Sequence, residues 1–97
     1  MASTPATTAT FCATIVDEWV RLGVTHAVVS PGSRSTPMAI ALSSNPKIAL
    51  HVFHDERSAS FAALGIGLQS GVPAVLLCTS GTAAAQFFAA VIEANYA

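Results

Sequence analysis

Charged residues are what this sequence has least of. Only 9% of its 97 residues are Asp, Glu, Lys or Arg, whereas an average soluble domain has roughly 25%. Such a charge-poor chain is either bound in a membrane or largely covered by other protein. The formal net charge of -1 also argues against the basic surface that binds nucleic acid, so we expect no nucleic-acid partner.

Long apolar runs are absent as well, although 53% of the residues are hydrophobic and the mean hydropathy is +0.60. No window contains the ~18 or more unbroken apolar residues that a membrane-spanning helix needs. The N-terminus lacks the basic region and apolar core of a secretory signal. We therefore expect no membrane span, and we interpret the low charge as protein surface that is normally covered.

Cysteine and metal-ligand clusters are equally scarce. Cys12 and Cys78 lie in apolar surroundings without CxxC spacing, which is typical of buried thiols in a reducing compartment. His26, His51 and His54 show no ligand spacing, and His51 alternates with apolar residues as a core or edge histidine would. The sequence therefore predicts a cytoplasmic protein with no metal site in this chain.

Helix and strand patterns alternate regularly along the chain. After a flexible lead-in at 1–10, apolar residues at three- and four-residue spacing predict a helix from residue 11 that stops at Gly23. Strands are predicted at 24–30, 48–53 and 74–78, and helices at 38–43, 56–69 and 83–96. This order predicts an α/β fold with a parallel sheet and flanking helices.

Three loops follow the predicted strands, at 31–36, 54–57 and 79–82. Because the carboxyl ends of parallel strands lie at one edge of a sheet, we expect the three loops to gather there. Together they offer guanidinium and carboxylate groups, several hydroxyls and two glycines that let backbone approach a ligand. This edge is the candidate site.

In the first loop, Arg34 is the only basic residue, and its planar donor fork suits a substrate carboxylate. An isolated loop arginine is nevertheless more often a plain surface residue. Ser33, Ser35 and Thr36 could be turn formers and caps as well as ligands. For Thr36 we expect a helix N-cap, with Pro37 at the first helical position.

Glu56 stands where the second predicted strand gives way to a helix. The helix macrodipole favours its anion while apolar neighbours disfavour it, so the residue is suited to hold or transfer one proton. The alternative is a solvated first-turn glutamate beside an N-capping Asp55. In the third loop, residues 80–82 resemble an anion-holding turn at a helix N-terminus, a pattern that ordinary strand-to-helix turns also use.

Three motifs taken together resemble one enzyme family. They are Ser-Pro-Gly-Ser-Arg-Ser-Thr-Pro at 30–37, Asp-Glu-Arg-Ser-Ala at 55–59 with Ala-Leu-Gly at 63–65, and Thr-Ser-Gly-Thr-Ala at 79–83 with Glu-Ala at 93–94. In order and spacing they resemble the start of the 2-succinyl-5-enolpyruvyl-6-hydroxy-3-cyclohexene-1-carboxylate synthases, the thiamine-diphosphate enzymes of menaquinone biosynthesis. Other thiamine-diphosphate enzymes share the glutamate but usually not the Pro-Gly-Ser-Arg-Ser loop.

The resemblance implies that residues 11–97 form part of a doubly wound pyrimidine-binding domain, followed in the full enzyme by a middle domain and a diphosphate-binding domain. The sequence itself also reads as the first part of a longer polypeptide. Its last helical pattern has no cap, and its three strands and apolar helices leave flanks that need covering. We expect this chain alone to be inactive and prone to association.

The resemblance also implies roles for five residues. Glu56 matches the glutamate that hydrogen-bonds the ring nitrogen N1′ of the aminopyrimidine, and so favours the tautomer that deprotonates the thiazolium C2. Ser33 and Arg34 match positions that contact substrate. Pro31 and Thr79 are weaker candidates for lining the pyrimidine pocket.

The reaction that the resemblance implies is decarboxylation of 2-oxoglutarate and addition of the succinyl carbanion equivalent to isochorismate. The cofactors would be thiamine diphosphate and Mg²⁺ or manganese, with metal and diphosphate held by a domain outside this chain. The cofactor would lie between two subunits of a homodimer or higher homo-oligomer. The alternatives are another thiamine-diphosphate lyase or decarboxylase, and a non-catalytic phosphate or nucleotide module that uses residues 79–82.

Overall fold

The structure is a computed structural model that describes residues 4–97. Its elements alternate between helix and strand. In chain order they are α1 (Pro5–Arg21), β1 (His26–Val29), α2 (Thr36–Ser44), β2 (Ala49–Val52), α3 (Glu56–Ser70), β3 (Val75–Leu77) and α4 (Phe88–Tyr96), with 3-10 helices at Ser33–Ser35 and Ala83–Phe87.

The three strands form one parallel sheet in the order β2-β1-β3. Val29 at the end of β1 is in register with Val52 of β2 and Leu77 of β3. All three strands therefore end at the same level. The predicted α/β class with a parallel sheet is confirmed, although each strand is shorter than the apolar run that predicted it.

Helices cover both faces of the sheet. α1 packs on α2 on one face, and α3 packs on the central strand and on α4 on the other. The chain steps in one direction from β1 to β2 and in the opposite direction from β2 to β3. Right-handed crossovers then require α2 and α3 to lie on opposite faces.

The main core lies between the sheet and the helices α1 and α2. Its buried members are the aliphatic side chains Val16, Ala27, Val29, Leu42 and Ile48. Because side chains alternate along a strand, Val28 and Ser30 face the α3 side instead. This alternation decides which side chains of β1 reach the α3 side of the candidate site.

The first helix begins earlier than the sequence predicts. Residues 5–10, which we expected in a flexible lead-in, are the first turns of α1, and the Thr4 hydroxyl caps it by accepting from Thr7 N at 3.1 Å. This stretch holds only Pro, Ala and Thr, so it has no apolar periodicity to reveal a helix. Residues 1–3 of the lead-in lie outside the described residues. The predicted stop is confirmed, since Gly23 has a φ of +101°.

The expected N-cap of α2 is wrong. Thr36 has helical angles and is the first residue of the helix, while Ser35 is the N-cap. Ser35 makes no side-chain capping bond because its hydroxyl donates to Gly32 O at 2.9 Å. The preceding 3-10 turn therefore takes over the role of a side-chain cap.

The last predicted helix is in fact two elements. Residues 83–87 form a 3-10 helix whose first bond runs from Ala85 N to Thr82 O at 3.0 Å, and α4 starts only at Phe88. An alanine-rich run with few polar residues has no signal that separates a 3-10 turn from an α-helix.

Two smaller expectations concern histidine and cysteine. His26 Nδ1 and His51 Nε2 are 3.0 Å apart across β1 and β2, with their rings stacked, so His51 is indeed a paired histidine within the sheet. Cys12 is buried and Cys78 is half-buried, and neither forms a disulfide. Among residues 4–97, no helix is both long enough and apolar enough to span a bilayer.

Candidate functional site

The three strand-end loops meet at one edge of the sheet, as expected. Val29 O accepts from Phe53 N at 3.0 Å, and Ser30 N donates to Leu77 O at 2.9 Å. These bonds continue the strand ladder on both sides of β1. The segments 30–35, 53–55 and 78–82 therefore leave the sheet side by side.

The edge also lies where the chain changes direction in the sheet. The segment after β1 leads to α2 on one face, whereas the segment after β3 leads to Ala83–Phe87 and α4, which pack with α3 on the other. In open α/β sheets, the point where the loops of adjacent strands diverge in this way is the usual ligand position.

The segments after β1 and β3 touch at Gly32 and Thr79. A Cβ on Gly32 would lie 2.6 Å from Thr79 Cγ2 and 2.6 Å from its Oγ1. This contact brings the predicted pocket residue Thr79 beside the predicted pocket residue Pro31. Thr79 is half-buried and Pro31 is exposed.

Glu56 is held by the start of α3. The Asp55 carboxylate caps that helix, accepting from Ser58 N at 2.9 Å and Ser58 Oγ at 2.7 Å. These bonds from Ser58 lower the pKa of Asp55. Asp55 is therefore the N-cap of α3, the role that the sequence analysis gave it. Glu56, the next residue, is half-buried, and its carboxylate makes no hydrogen bond or ion pair with residues 4–97.

Cys78, which directly follows β3, lies within electrostatic range of Glu56. Burial raises the pKa of the Cys78 thiol, and the negative charge of Glu56 raises it further. The Glu56 carboxylate is therefore near enough to Cys78 to act on it electrostatically. Since Thr79 follows Cys78, the structure places Glu56 and Thr79 in the same region.

Ser33 and Arg34 lie further out on the same edge. Both belong to the 3-10 helix Ser33–Ser35 and are exposed. Within the described part of the chain, the Arg34 guanidinium forms no ion pair or hydrogen bond. It is therefore available to a carboxylate approaching from solvent. A shallow groove on the α2 side of this edge includes Pro31 and Gly32 in its lining, but neither Glu56 nor Thr79.

Sequence reasoning missed Ser30 as a separate site residue. Its side chain is completely buried, and its hydroxyl has no hydrogen-bond partner. The available signal was a polar residue that directly follows the buried run Ala27-Val28-Val29. That signal is weak, because the burial of Ser30 depends on strands from distant parts of the chain.

The turn after β3 differs from the expected anion-holding turn. Gly81 adopts a φ of +77°, and Thr82 makes no side-chain capping bond. The five-residue element that follows is a 3-10 helix rather than an α-helix. The aligned N–H groups of an α-helix N-terminus are therefore missing from this turn, which weakens the case for a phosphate or nucleotide module.

Metal ligands do not converge in the described chain. Within residues 4–97, no three His, Cys, Asp or Glu side chains form a group that could hold a metal ion. The groups at the sheet edge that have no hydrogen bond within the described chain include instead the Glu56 carboxylate and the Arg34 guanidinium, with hydroxyls nearby. Such a set suits an organic ligand that exchanges hydrogen bonds and a proton.

Comparison with known proteins identifies the family of this chain. The family described as "Thiamine pyrophosphate enzyme, N-terminal TPP binding domain" matches residues 9–97. The chain is similar to proteins named 2-succinyl-5-enolpyruvyl-6-hydroxy-3-cyclohexene-1-carboxylate synthase. It is 53% identical to that of Chlorobaculum tepidum over 88 residues, 58% to that of Thermobifida fusca over 81, and 53% to that of Listeria innocua over 85.

These matches cover most of this chain but little of each relative. They include 91%, 84% and 88% of this chain for the Chlorobaculum, Thermobifida and Listeria proteins, respectively. The same alignments cover 15% of each relative. The chain therefore spans only a small part of the length of the relatives that it matches.

Proposed function

This chain belongs to the thiamine pyrophosphate enzymes, whose N-terminal TPP-binding domain matches residues 9–97, and from this premise we propose that it works within a thiamine-diphosphate-dependent transferase. The reaction is decarboxylation of 2-oxoglutarate and transfer of the remaining succinyl unit to isochorismate. The product is 2-succinyl-5-enolpyruvyl-6-hydroxy-3-cyclohexene-1-carboxylate, the compound after which the relatives are named.

The residues at the sheet edge fit the pyrimidine of thiamine diphosphate. Glu56 offers a half-buried carboxylate without a hydrogen-bond partner among residues 4–97, and Gly32 and Thr79 form a close wall. A flat heterocycle with ring nitrogens could use these groups. The unpaired Glu56 carboxylate at this edge is the observation that carries the proposal.

When bound, the cofactor supplies the electron sink for decarboxylation at its thiazolium ring. Glu56 would hold the ring nitrogen N1′ and exchange a proton with it, and the exocyclic amine would then be basic enough to act at C2. Pro31 and Thr79 would line the pyrimidine pocket. The metal, Mg²⁺ or manganese, and the diphosphate are bound by another part of a longer polypeptide.

Arg34 and Ser33 bind substrate. Both proposed substrates carry carboxylates, and a guanidinium with no protein partner can bind one through two parallel hydrogen bonds. Ser33, beside it on the same 3-10 helix, adds an exposed hydroxyl. Turnover with 2-oxoglutarate and isochorismate, compared with pyruvate as donor, tests this assignment. Faster turnover of pyruvate would favour another thiamine-diphosphate decarboxylase.

The oligomer and the compartment belong to the same proposal. The chain works in the cytoplasm as part of a homodimer or larger homo-oligomer, with the cofactor between two subunits. The sparse charge and the exposed apolar side chains of α4 support a covered exterior. Sedimentation of the full-length polypeptide measures the oligomer directly.

The decisive test is Glu56→Gln in the full-length polypeptide. Glutamine keeps the size of the side chain but cannot exchange a proton with N1′, so the hydrogen–deuterium exchange rate at C2 of bound cofactor should fall at least about a hundredfold, the usual scale for loss of a general acid–base. NMR of the acid-quenched cofactor measures this rate.

Glu18→Gln provides the matched control, because Glu18 is an exposed glutamate of α1. It should leave both the exchange rate and the thermal stability unchanged. The proposal fails if the rate at C2 in Glu56→Gln equals that of the unmodified protein while the cofactor is bound.

A further inference from the structure

Ser30 is the buried polar side chain that the fold leaves without a partner. Its relative exposure is 0%, and among residues 4–97 its Oγ is the only buried side-chain oxygen or nitrogen without a hydrogen bond. Buried hydroxyls in folded proteins are nearly always bonded, because burial without a partner is unfavourable. An exception beside a ligand site calls for a reason.

The direction of the Ser30 side chain follows from the strand ladder. Ala27 and Val29 face the core under α1 and α2, so the next residue, Ser30, faces the α3 side. Ser30 N bonds to Leu77 O, which extends the ladder to this residue. By the same alternation Cys78, the residue after Leu77, also faces α3.

Glu56 is a second polar side chain on this side without a hydrogen-bond partner among residues 4–97. It begins α3, is half-buried, and its carboxylate makes no hydrogen bond within the described chain. Its charge contributes to the raised pKa of Cys78, so the carboxylate lies toward the end of β3. Ser30, Cys78 and Glu56 thus share one corner of the sheet edge.

The chemistry of the two unpartnered groups is complementary. A carboxylate has two oxygens and about four acceptor sites, and a serine hydroxyl can rotate to donate to one of them. A contact with a ring nitrogen occupies only one carboxylate oxygen. The second oxygen then needs a donor if the carboxylate plane is to stay fixed.

We propose that Ser30 is a positioning residue whose hydroxyl donates to the Glu56 carboxylate when the pyrimidine is bound, holding one oxygen while the other faces N1′. This inference rests on the proposed function and adds a residue to it. Ser30 is buried too deeply to meet solvent, so it acts through Glu56. Its missing bond is made only in the loaded site.

The test is Ser30→Ala in the full-length polypeptide, with two measurements. Without cofactor, the melting temperature should stay the same or rise, because the lost hydroxyl had no partner. With cofactor, C2 exchange should slow about tenfold, the effect of losing one hydrogen bond to a charged group. The dissociation constant for thiamine diphosphate, from calorimetry, should rise.

Ser60→Ala is the matched control. Ser60 is equally enclosed at 2% exposure, but its hydroxyl already donates to Arg57 O at 2.7 Å. Its removal should lower the melting temperature without cofactor and leave C2 exchange unchanged. The two variants should therefore show opposite patterns of melting temperature and C2 exchange rate.

A double-mutant cycle separates positioning from a general structural effect. In a Glu56→Ala background the acceptor is gone, so Ser30→Ala should slow C2 exchange no further. The inference is overturned if Ser30→Ala lowers the cofactor-free melting temperature. It is also overturned if Ser30→Ala slows C2 exchange equally in the unmodified and Glu56→Ala backgrounds, or does not change the C2 exchange rate although Glu56→Ala slows it. If Glu56→Ala itself has no effect, the proposed function fails and this inference with it.

Discussion

Glycine is required at position 32 by the neighbouring side chain and not by the backbone angles of Gly32. Its φ of -170° is extended backbone that any residue can adopt. The constraint is Thr79, whose side chain occupies the space that a Cβ would need. One missing methyl group thus allows the segments after β1 and β3 to touch and to close one side of the candidate site.

Gly32→Ala should therefore destabilise the fold by about 1–3 kcal/mol, the usual cost of forcing a methyl group into a packed site. Gly65→Ala is the control, because nothing lies within 4 Å of a Cβ there and alanine in a helix should add about 0.5–1 kcal/mol of stability. Urea denaturation measures both. Thr79→Gly should partly restore the Gly32→Ala variant, and equal stability of Gly32→Ala and the unmodified chain would contradict this account.

At the scale of elements, α3 is fixed at both ends by local signals. Asp55 caps its start, and Gly71, with a φ of +76°, ends it in the left-handed conformation. The cap also determines where Glu56 begins the helix. The position of the Glu56 carboxylate therefore depends on the capping bonds of its neighbour Asp55.

Asp55→Ala should lower the melting temperature at neutral pH, because Ser58 N loses its acceptor. The pKa of Asp55 is lowered in the folded chain, so its stabilising effect is complete above the ordinary carboxyl pKa and is lost as the pH falls through the lowered value. The difference in melting temperature between the two proteins should accordingly narrow in acid.

Asp17→Ala serves as the control for Asp55→Ala. Asp17 pairs with Arg21 at 2.8 Å on an exposed face of α1, and such pairs contribute little. Its melting temperature should stay close to that of the unmodified chain throughout. A difference for Asp55→Ala that persists unchanged in acid would show that the carboxylate is not the stabilising group.

Local signals also determine how much of each element the sequence could predict. Both ends of α3 and the end of α1 at Gly23 were predictable, because capping residues act within a few positions of the chain. The start of α1 was not, since residues 5–10 have no apolar contrast. The burial of Ser30 was out of reach for another reason: it requires β2 and β3 on either side of β1, and no local pattern encodes that.

At the scale of the whole molecule, the sheet order positions the site. β1 lies between its two sequence successors, so the segments that follow β1 and β3 part toward opposite faces. Topology brings the three segments to one shared edge, which the sequence predicted from three βα units. The strand order, which the sequence did not specify, makes two of them diverge at that edge. The relative depth of Glu56, Arg34 and Thr79 at that edge depends on packing, which the motifs alone did not specify.

Large exposed apolar side chains are concentrated on α4. Four of its nine residues are large exposed apolar side chains, with Phe88 at 68% and Val91 at 58% exposure. Glu93 is the one charged residue of that helix. Exposed apolar surface of this kind is typical of a protein–protein contact. The same helix borders an apolar groove against α3, which includes Val91 in its lining.

We therefore expect the 97-residue chain to associate as its concentration rises. The double variant Phe88→Ser with Val91→Ser should reduce this association, because both changes remove apolar area from the exposed face of α4. Phe11→Ser is the matched control, since Phe11 is similarly exposed at 63% but lies on α1, across the sheet. Sedimentation velocity over a concentration series measures the effect. If Phe11→Ser dispersed the chain and the α4 variant did not, the contact surface would lie on the α1 face, and the low charge of the chain would reflect cover on that side.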